Sequence, residues 1–287
     1  MNPDASGNFV DGSLVNKILK QRDPFSHKGD YGHACIIAGS YGMMGAAVLS
    51  SRGCLRSGVG KLTCFIPSIG YDVMQTSVPE AMVKVSGKKN IKEVDGLTKF
   101  DVVGIGPGIG IYKSHALLLK KIFSEYKKPI VIDADALNVL SENKKLLNNI
   151  PPQSILTPHS KEFERLFGKT ASDAERNELA LKISGDHNIY IVLKGHHTLI
   201  ATPDRQAWFN STGNAGMATG GSGDVLTGIL TGLLAQGYSS LETCLLGVYL
   251  HGLAGDIAAD KLSQYALIAS DIIDNLGNAF KLVMSYE

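Results

Sequence analysis

Short apolar runs closed by glycine, proline or polar clusters alternate with longer stretches of helical spacing along most of the chain. Ala34–Ala38, Gly60–Ile66, Val78–Val83, Phe100–Gly106, Pro129–Asp133, Ser154–Pro158 and Ile189–Leu193 have the length and apolar character of buried strands. Residues 198–201 and 206–210, joined by a Pro203–Asp204 turn, read as a hairpin. Helices are expected over Ser13–Gln21, Ala46–Ser57 and Ser114–Tyr126, from Phe163 onward, and over Ser172–Ser184. Ser86–Thr98 reads as a polar connection. Toward the C-terminus, Val225, Leu226, Ile229, Leu230, Leu233 and Leu234 form one apolar stripe, with Gly228 and Gly232 four apart where a neighbour can approach and Gly237 suited to the helix end. Ser239 and Glu242 have capping-box spacing and open a long, all-round apolar helix to about Asp260; a last helix spans Ser270–Ser285. Strands alternating with helical crossovers predict an α/β domain with a central, mainly parallel sheet and helices on both faces. No linker or internal repeat interrupts it, so residues 1–287 are expected to form a single domain.

The chemistry concentrates in Asn210–Asp224, NSTGNAGMATGGSGD. Glycines at 213, 216, 220, 221 and 223 let a ligand approach the main chain. A glycine-rich turn that feeds a helix leaves N–H groups of Gly221, Ser222 and Gly223 available to a phosphate. Asp224 has two readings. It is an ordinary N-cap, or it is a general base that takes a hydroxyl proton while those amides hold the transferred phosphoryl group.

Other candidates sit at strand ends, where open α/β sheets bind ligands. Asp133, Asp135 and Asn138 follow one strand, His159 another and Lys194 a third. His159 is a ligand contact or simply a helix-start residue. Lys194 meets a phosphate or is a solvated strand end. His196 and His197, read as strand residues, point to opposite faces and make a poor metal pair; no metal ligands are assigned. His251, inside an apolar helix, reads as a satisfied core histidine. Gly106–Gly110 lacks the third glycine of a dinucleotide fingerprint because residue 109 is Ile, and Gly60-Lys61 is followed by Leu62 rather than the Ser or Thr of a P-loop.

Composition narrows the partners. The 287 residues carry a net charge of +1 without a basic block, which argues against nucleic acid. Apolar residues make up 44% and charged residues 19%, no apolar run approaches a membrane span, and the polar N-terminus lacks a signal core; a cytoplasmic location is expected. Cys35, Cys54, Cys64 and Cys244 form no C-x-x-C pair and read as small core residues.

Taken together, HKGDYGH (27–33), AGSYGMMGAA (38–47), GIGPGIG (104–110), VIDADALN (131–138), LTPHSKEFERL (156–166), KGHHT (194–198) and NSTGNAGMATGGSGDVLTG (210–228) resemble the ribokinase-like superfamily and, within it, the ADP- or ATP-dependent NAD(P)H-hydrate dehydratases. GxGD marks only the superfamily; TPHxxEF joined with GNxxMATGGSGD is far more specific. The resemblance implies repair of nicotinamide cofactors hydrated at the C5–C6 bond. A nucleotide phosphorylates the ring hydroxyl, phosphate leaves, and the double bond returns with help from the ring nitrogen's lone pair. Matching positions imply that Lys194, Gly195, His196, His197, Thr198 and Gly223 touch the adenine nucleotide. They also imply that Ala46, Gly110, His159 and Asp224 touch the hydrated nucleotide (NADHX or NADPHX). Magnesium is implied as the cofactor, held largely through phosphates and water. KGxxT goes mostly with ADP-using bacterial members, without excluding ATP. The resemblance further implies a homotetramer. Only about 26 residues precede the first motif, which leaves no room for the fused epimerase of many members, so a separate epimerase is expected.

Rival readings are a ribokinase-like kinase of a vitamin-precursor alcohol, whose product would keep the phosphate, and a non-catalytic nucleotide-binding module. A hydride-transferring Rossmann enzyme comes third, since the fingerprint is missing.

Overall fold

The computed structural model describes residues 8–286. Its strands are β1 (Asn8–Val10), β2 (His33–Ile37), β3 (Lys61–Ile66), β4 (Met82–Val85), β5 (Val102–Ile105), β6 (Ile130–Ile132), β7 (Ile155–Leu156), β8 (Tyr190–Leu193), β9 (Leu199–Ala201) and β10 (Ala207–Asn210). The helices are α1 (Gly12–Ile18), α2 (Met44–Arg56), α3 (Tyr71–Ser77), α4 (His115–Glu125), α5 (Ala134–Glu142), α6 (Ser160–Phe167), α7 (Asp173–His187), α8 (Ser222–Ala235), α9 (Ser240–Leu262) and α10 (Ala269–Met284).

One ten-stranded sheet runs in the order β1-β10-β9-β8-β7-β6-β5-β2-β3-β4. From β4 to β8 every neighbouring pair is parallel. The predicted hairpin, β9 and β10, continues the sheet antiparallel beyond β8, and β1 adds a parallel edge to β10. The parallel strands are apolar on both faces because both are covered. Ala34 and Ile36 of β2 face the α2 layer, whereas Cys35 and Ile37 face the core under α4 and α5. On β6, Val131 packs with α8 and α9 while Ile130 and Ile132 join the opposite core. All four cysteines are free and buried, as their apolar surroundings led one to expect.

Two local expectations need correction, and two elements had none. Of Val78–Val83 only Met82 and Val83 are strand: Val78 closes α3, and the strand runs on from Met82 to Val85. Pro79 lacks an N–H for the ladder, and α3 exposes most of its surface, with Met74 its only buried residue, so its helical period is faint. Ser86–Thr98 is polar in composition but not in packing, since Ile91, Val94 and Leu97 are buried every third residue against the core under α4. α5 and β1 lacked any sequence prediction; α5 has only nine residues and β1 three.

The crevice forms at the carboxyl ends of the parallel strands. Gly106, Gly108 and Gly110 all have positive φ, and a Cβ on Gly106 would lie 1.8 Å from the Asp133 carbonyl oxygen. This turn brings the β5 exit against the β6 exit, which a longer side chain would prevent.

Candidate active site at the start of helix α8

Gly221, at φ +91°, turns the chain into α8 and is itself the N-cap. Asp224 is therefore the third residue of the helix, and its carboxylate makes no capping bond, which removes the plain N-cap reading. The N–H groups of Gly221, Gly223 and Asp224 have no hydrogen-bond partner among the described residues. The Ser222 N–H is different: it donates to the Thr219 carbonyl at 3.4 Å. The expected cradle of residues 221–223 is thus shifted, with two of those amides and that of Asp224 unengaged.

Asp224 lines a cleft of about 440 Å³ together with Ala46, Asp135, Gly220 and Gly221. Burial, then the neighbouring carboxylates of Asp133, Asp135 and Glu162, push its pKa up from 3.8 to about 7, against the opposing pull of Lys194. A half-buried carboxylate with a pKa near neutrality suits a base that must accept and later give up a proton. Ala134, between Asp133 and Asp135 in the cleft wall, adopts φ +49°, a strained conformation for a residue with a Cβ.

β6, β7 and β8 deliver a charged cluster beside this helix start. Lys194 Nζ lies 2.8 Å from Asp133 Oδ1 and 4.0 Å from Glu162 Oε2. Thr227, one turn into α8, donates to Asp133 Oδ2 at 2.6 Å. Burial alone would lower the Lys194 pKa, but Asp133 and Glu162 outweigh it and raise it, so the side chain stays an ammonium. A methyl group at Gly223 would sit 3.2 Å from Lys194 Nζ, so the missing side chain keeps the ammonium next to the free amides. Lys194 is only 21% exposed and is not a solvated strand end.

The other predicted residues divide into three groups. Gly110 and Asn138 converge on Asp135: the Gly110 N–H donates to Oδ2 at 2.8 Å, and Asn138 Nδ2 to Oδ1 at 3.4 Å. His159 does cap a helix. Its Nδ1 accepts from the N–H groups of Lys161 and Glu162, and Glu162 Oε2 accepts the His159 N–H. That bonding puts the ring proton on Nε2, 3.4 Å from Glu162 Oε1. The ring is 46% exposed, and His159 pairs with Lys194 in an isolated parallel bridge, so the cap sits beside the cluster. Gly195, His196 and His197 lie in an exposed loop after β8, outside any strand, with Thr198 at its end. The two rings meet edge to face at 4.4 Å instead of pointing to opposite faces, because the chain is no longer extended there.

Sequence reasoning overlooked Glu162 and Thr227 as members of the site. Both have a readable signal: Glu162 is three residues after His159, the capping-box interval, and Thr227 is one helical turn after Gly223 and Asp224. No group of three or more His, Cys, Asp or Glu able to hold a metal ion occurs among the described residues.

A larger groove, about 1150 Å³, opens away from this site between residues 19–31 and the C-terminal ends of α2 and α8. Volume does not make it the better site. Two of its cations are committed to backbone carbonyls: Lys20 donates to Gly237 at 2.8 Å, and Arg22 to Gly58. At the smaller cleft, free amides and a carboxylate of raised pKa lie next to the Lys194 ammonium.

A family model described as NAD(P)H-hydrate dehydratase (Carb_kinase) matches residues 34–278. The ADP-dependent (S)-NAD(P)H-hydrate dehydratase of Neisseria meningitidis serogroup B is 37% identical over 264 residues, 89% of this chain and 87% of that protein. Among solved structures, the Bacillus subtilis ADP/ATP-dependent NAD(P)H-hydrate dehydratase co-crystallized with ATP/Mg2+ superposes with a TM-score of 0.85 at 32% identity, covering 97% of this chain and 99% of that one. A ribokinase-like superfamily protein of Enterococcus faecalis V583 gives 0.82 at 28% identity over 96% of each chain. The chain spans about half the length of bifunctional NAD(P)H-hydrate repair enzymes from Moorella thermoacetica and Thermofilum pendens that it also matches. The matched span includes the free amides, the Asp224 cleft and the Lys194 cluster of this ribokinase-like fold, and on that match the chain belongs to the NAD(P)H-hydrate dehydratase family.

Proposed function

We propose that the protein repairs hydrated NADH and NADPH in the S form, using ADP or ATP and releasing NAD(P)H, phosphate and AMP or ADP. The single observation that carries this reading is the pairing of unengaged amides at Gly221, Gly223 and Asp224 with a carboxylate of pKa about 7, Gly221 and Asp224 both lining one cleft.

The steps follow from the chemistry. Asp224 accepts the proton of the ring hydroxyl as its oxygen attacks the terminal phosphorus of the nucleotide; the bond to the departing AMP or ADP oxygen breaks. The free amides and the Lys194 ammonium hold the charge on the transferred group. Hydroxide is a poor leaving group and phosphate a good one, so the C–O bond then breaks toward phosphate. The ring nitrogen's lone pair supplies electrons, and the neighbouring C–H proton passes to the departing phosphate, which restores the double bond. Asp133, held by Lys194 and Thr227, positions the ammonium.

Substrate assignments follow the family resemblance for Ala46, Gly110, His159 and Asp224 at the hydrated nucleotide, joined by Asn138 from its place after β6, and for Lys194 to Thr198 and Gly223 at the adenine nucleotide. Ala46 and Asp224 both line the cleft, and residues 195–197 form the exposed loop that follows Lys194. The donor set fits magnesium that arrives with the nucleotide: Asp133, Asp135 and Glu162 are already bonded to protein donors, so phosphate and water oxygens would hold most of the ion. Bound magnesium would neutralise phosphate charge. We also read the protein as one catalytic domain and a cytoplasmic homotetramer working with an epimerase that interconverts the hydrate epimers. No helix among the described residues is long and apolar enough to cross a membrane.

The test is to incubate the protein with chemically hydrated NADH, magnesium and either ADP or ATP. Repair predicts return of the reduced-nicotinamide absorbance with one phosphate released per cofactor restored. A stable phosphorylated alcohol would instead support a ribokinase-like kinase. Nucleotide binding without turnover would leave only a binding module.

A further inference from the structure

The glycine-rich loop Asn210–Asp224 is built on a surface supplied by α9. Near its beginning, Asp256 Oδ2 accepts the Gly213 N–H and Oδ1 accepts Asn214 Nδ2, both at 2.8 Å. Thr212 Oγ1 donates to the Tyr249 carbonyl at 2.9 Å. The contact is backbone-close: a Cβ on Gly252 would lie 2.7 Å from the Thr212 carbonyl carbon, and one on Gly255 would lie 2.3 Å from Met217 Sδ. At the other end of the loop, His251 Nε2 is 3.0 Å from the Ser222 carbonyl oxygen and 3.3 Å from Ser222 Oγ.

The His251 contact lies directly behind the candidate cradle. A carbonyl accepts only, so Nε2 bears the hydrogen and donates to Ser222. Ser222 separates the two glycines whose amides are unengaged, and its own N–H is turned back to Thr219. A rotation of the Ser222 peptide would therefore re-aim the Gly223 N–H. His251 is 9% exposed and opens onto no part of the cleft lining. Burial lowers its pKa to about 4, so the ring stays neutral through the working pH range.

We propose that His251 is a positioning residue for the transfer step: through the Nε2–H bond to Ser222 it fixes the aim of the Gly223 amide and of Asp224, while Asp256 anchors the far end of the loop. This inference rests on the proposed phosphoryl-transfer function. It assigns to the buried histidine, which the sequence marks only as core, a role in rate that packing would not produce.

The test compares His251→Gln, His251→Asn and His251→Leu in the full chain. Glutamine can place an N–H near the Nε2 position; asparagine reaches only as far as Nδ1. Expected is a fall in kcat of about 10- to 100-fold for Leu and Asn, with the KM for ADP changed less than about threefold. Gln should recover kcat to within about fivefold of wild type. Equal kcat in all four proteins would overturn the proposal, as would a loss confined to KM or a Gln variant no better than Asn. Should the Leu variant fail to fold, the Gln–Asn pair still decides. A wild type that turns over no hydrate sinks the functional reading instead. The positioning claim is then judged from the amide ¹⁵N shifts of Gly221 and Gly223 on titration with ADP. Shifts preserved in Gln and lost in Asn support it; identical shifts in both contradict it.

Discussion

At the residue scale the central figure is Asp224. Its carboxyl binds a proton more tightly in the folded protein than in the unfolded chain, because burial and three nearby carboxylates oppose ionisation. Below about pH 4 both states are protonated and the site costs nothing. Between pH 4 and 7 the unfolded chain ionises first, so this group's contribution to stability falls as pH rises, reaching a penalty of about 4 kcal/mol above pH 7. Asp224→Asn should accordingly raise the thermal midpoint by several degrees at pH 8 and leave it nearly unchanged at pH 4, as read by calorimetry. A midpoint gain independent of pH would contradict the shifted carboxyl. The same group should set an acid limb near pH 7 in kcat/KM, with activity rising as Asp224 loses its proton; no such limb between pH 5 and 9 would argue against it as the base. Sequence showed this carboxylate beside a glycine turn but could not tell cap from base. The distinction lies in three residues of register: Gly221 takes the cap position, Asp224 falls in the first turn, and an αL backbone rather than a side chain starts the helix.

At the element scale, the site depends on how closely α8 is held. The glycines at 228 and 232 mark this in the sequence, and the structure gives the neighbour as α2. A Cβ on Gly228 would lie 2.0 Å from the Ser50 carbonyl oxygen, and one on Gly232 would lie 2.6 Å from that of Cys54. Gly53 of α2 reciprocates, its missing Cβ falling 2.7 Å from the Val225 carbonyl. These are backbone contacts that no rotamer change relieves, so Gly228→Ala should destabilise by about 2–4 kcal/mol in urea unfolding despite its better helix propensity. A change below about 0.5 kcal/mol would mean that α2 and α8 separate easily. The apolar stripe of α8 and the all-round apolar run of α9 were legible because burial extends along the whole element. α3 and α5 were not, since short or mostly exposed helices leave too little pattern. Strand ends were legible as chemistry because charged residues interrupt apolar runs there. The Lys194–Asp133–Thr227 contact was hidden, as its members lie 61 and 94 residues apart and meet only through the sheet order.

At the scale of the molecule, the parallel sheet gathers the exits of β2, β5, β6, β7 and β8 along one edge and lays the start of α8 across them. The helix C-termini face the other way, where residues 19–31 form a strap from which Lys20 and Arg22 donate to exposed carbonyls. These two ends should respond differently to change. Arg22→Ala, which also removes a contact over the Tyr31 ring at 3.9 Å, is expected to lower the thermal midpoint while kcat and KM stay within about twofold. A tenfold loss of activity would tie the large groove to the reaction. The central claim, that unengaged amides hold the phosphoryl group while Asp224 removes the hydroxyl proton, separates binding from chemistry. The most direct measurement is therefore ADP affinity by calorimetry alongside single-turnover repair of hydrated NADH for wild type and Asp224→Asn. The account predicts affinity preserved within about threefold and the rate reduced at least about 100-fold. An Asp224→Asn protein that restores the cofactor at the wild-type rate would contradict it.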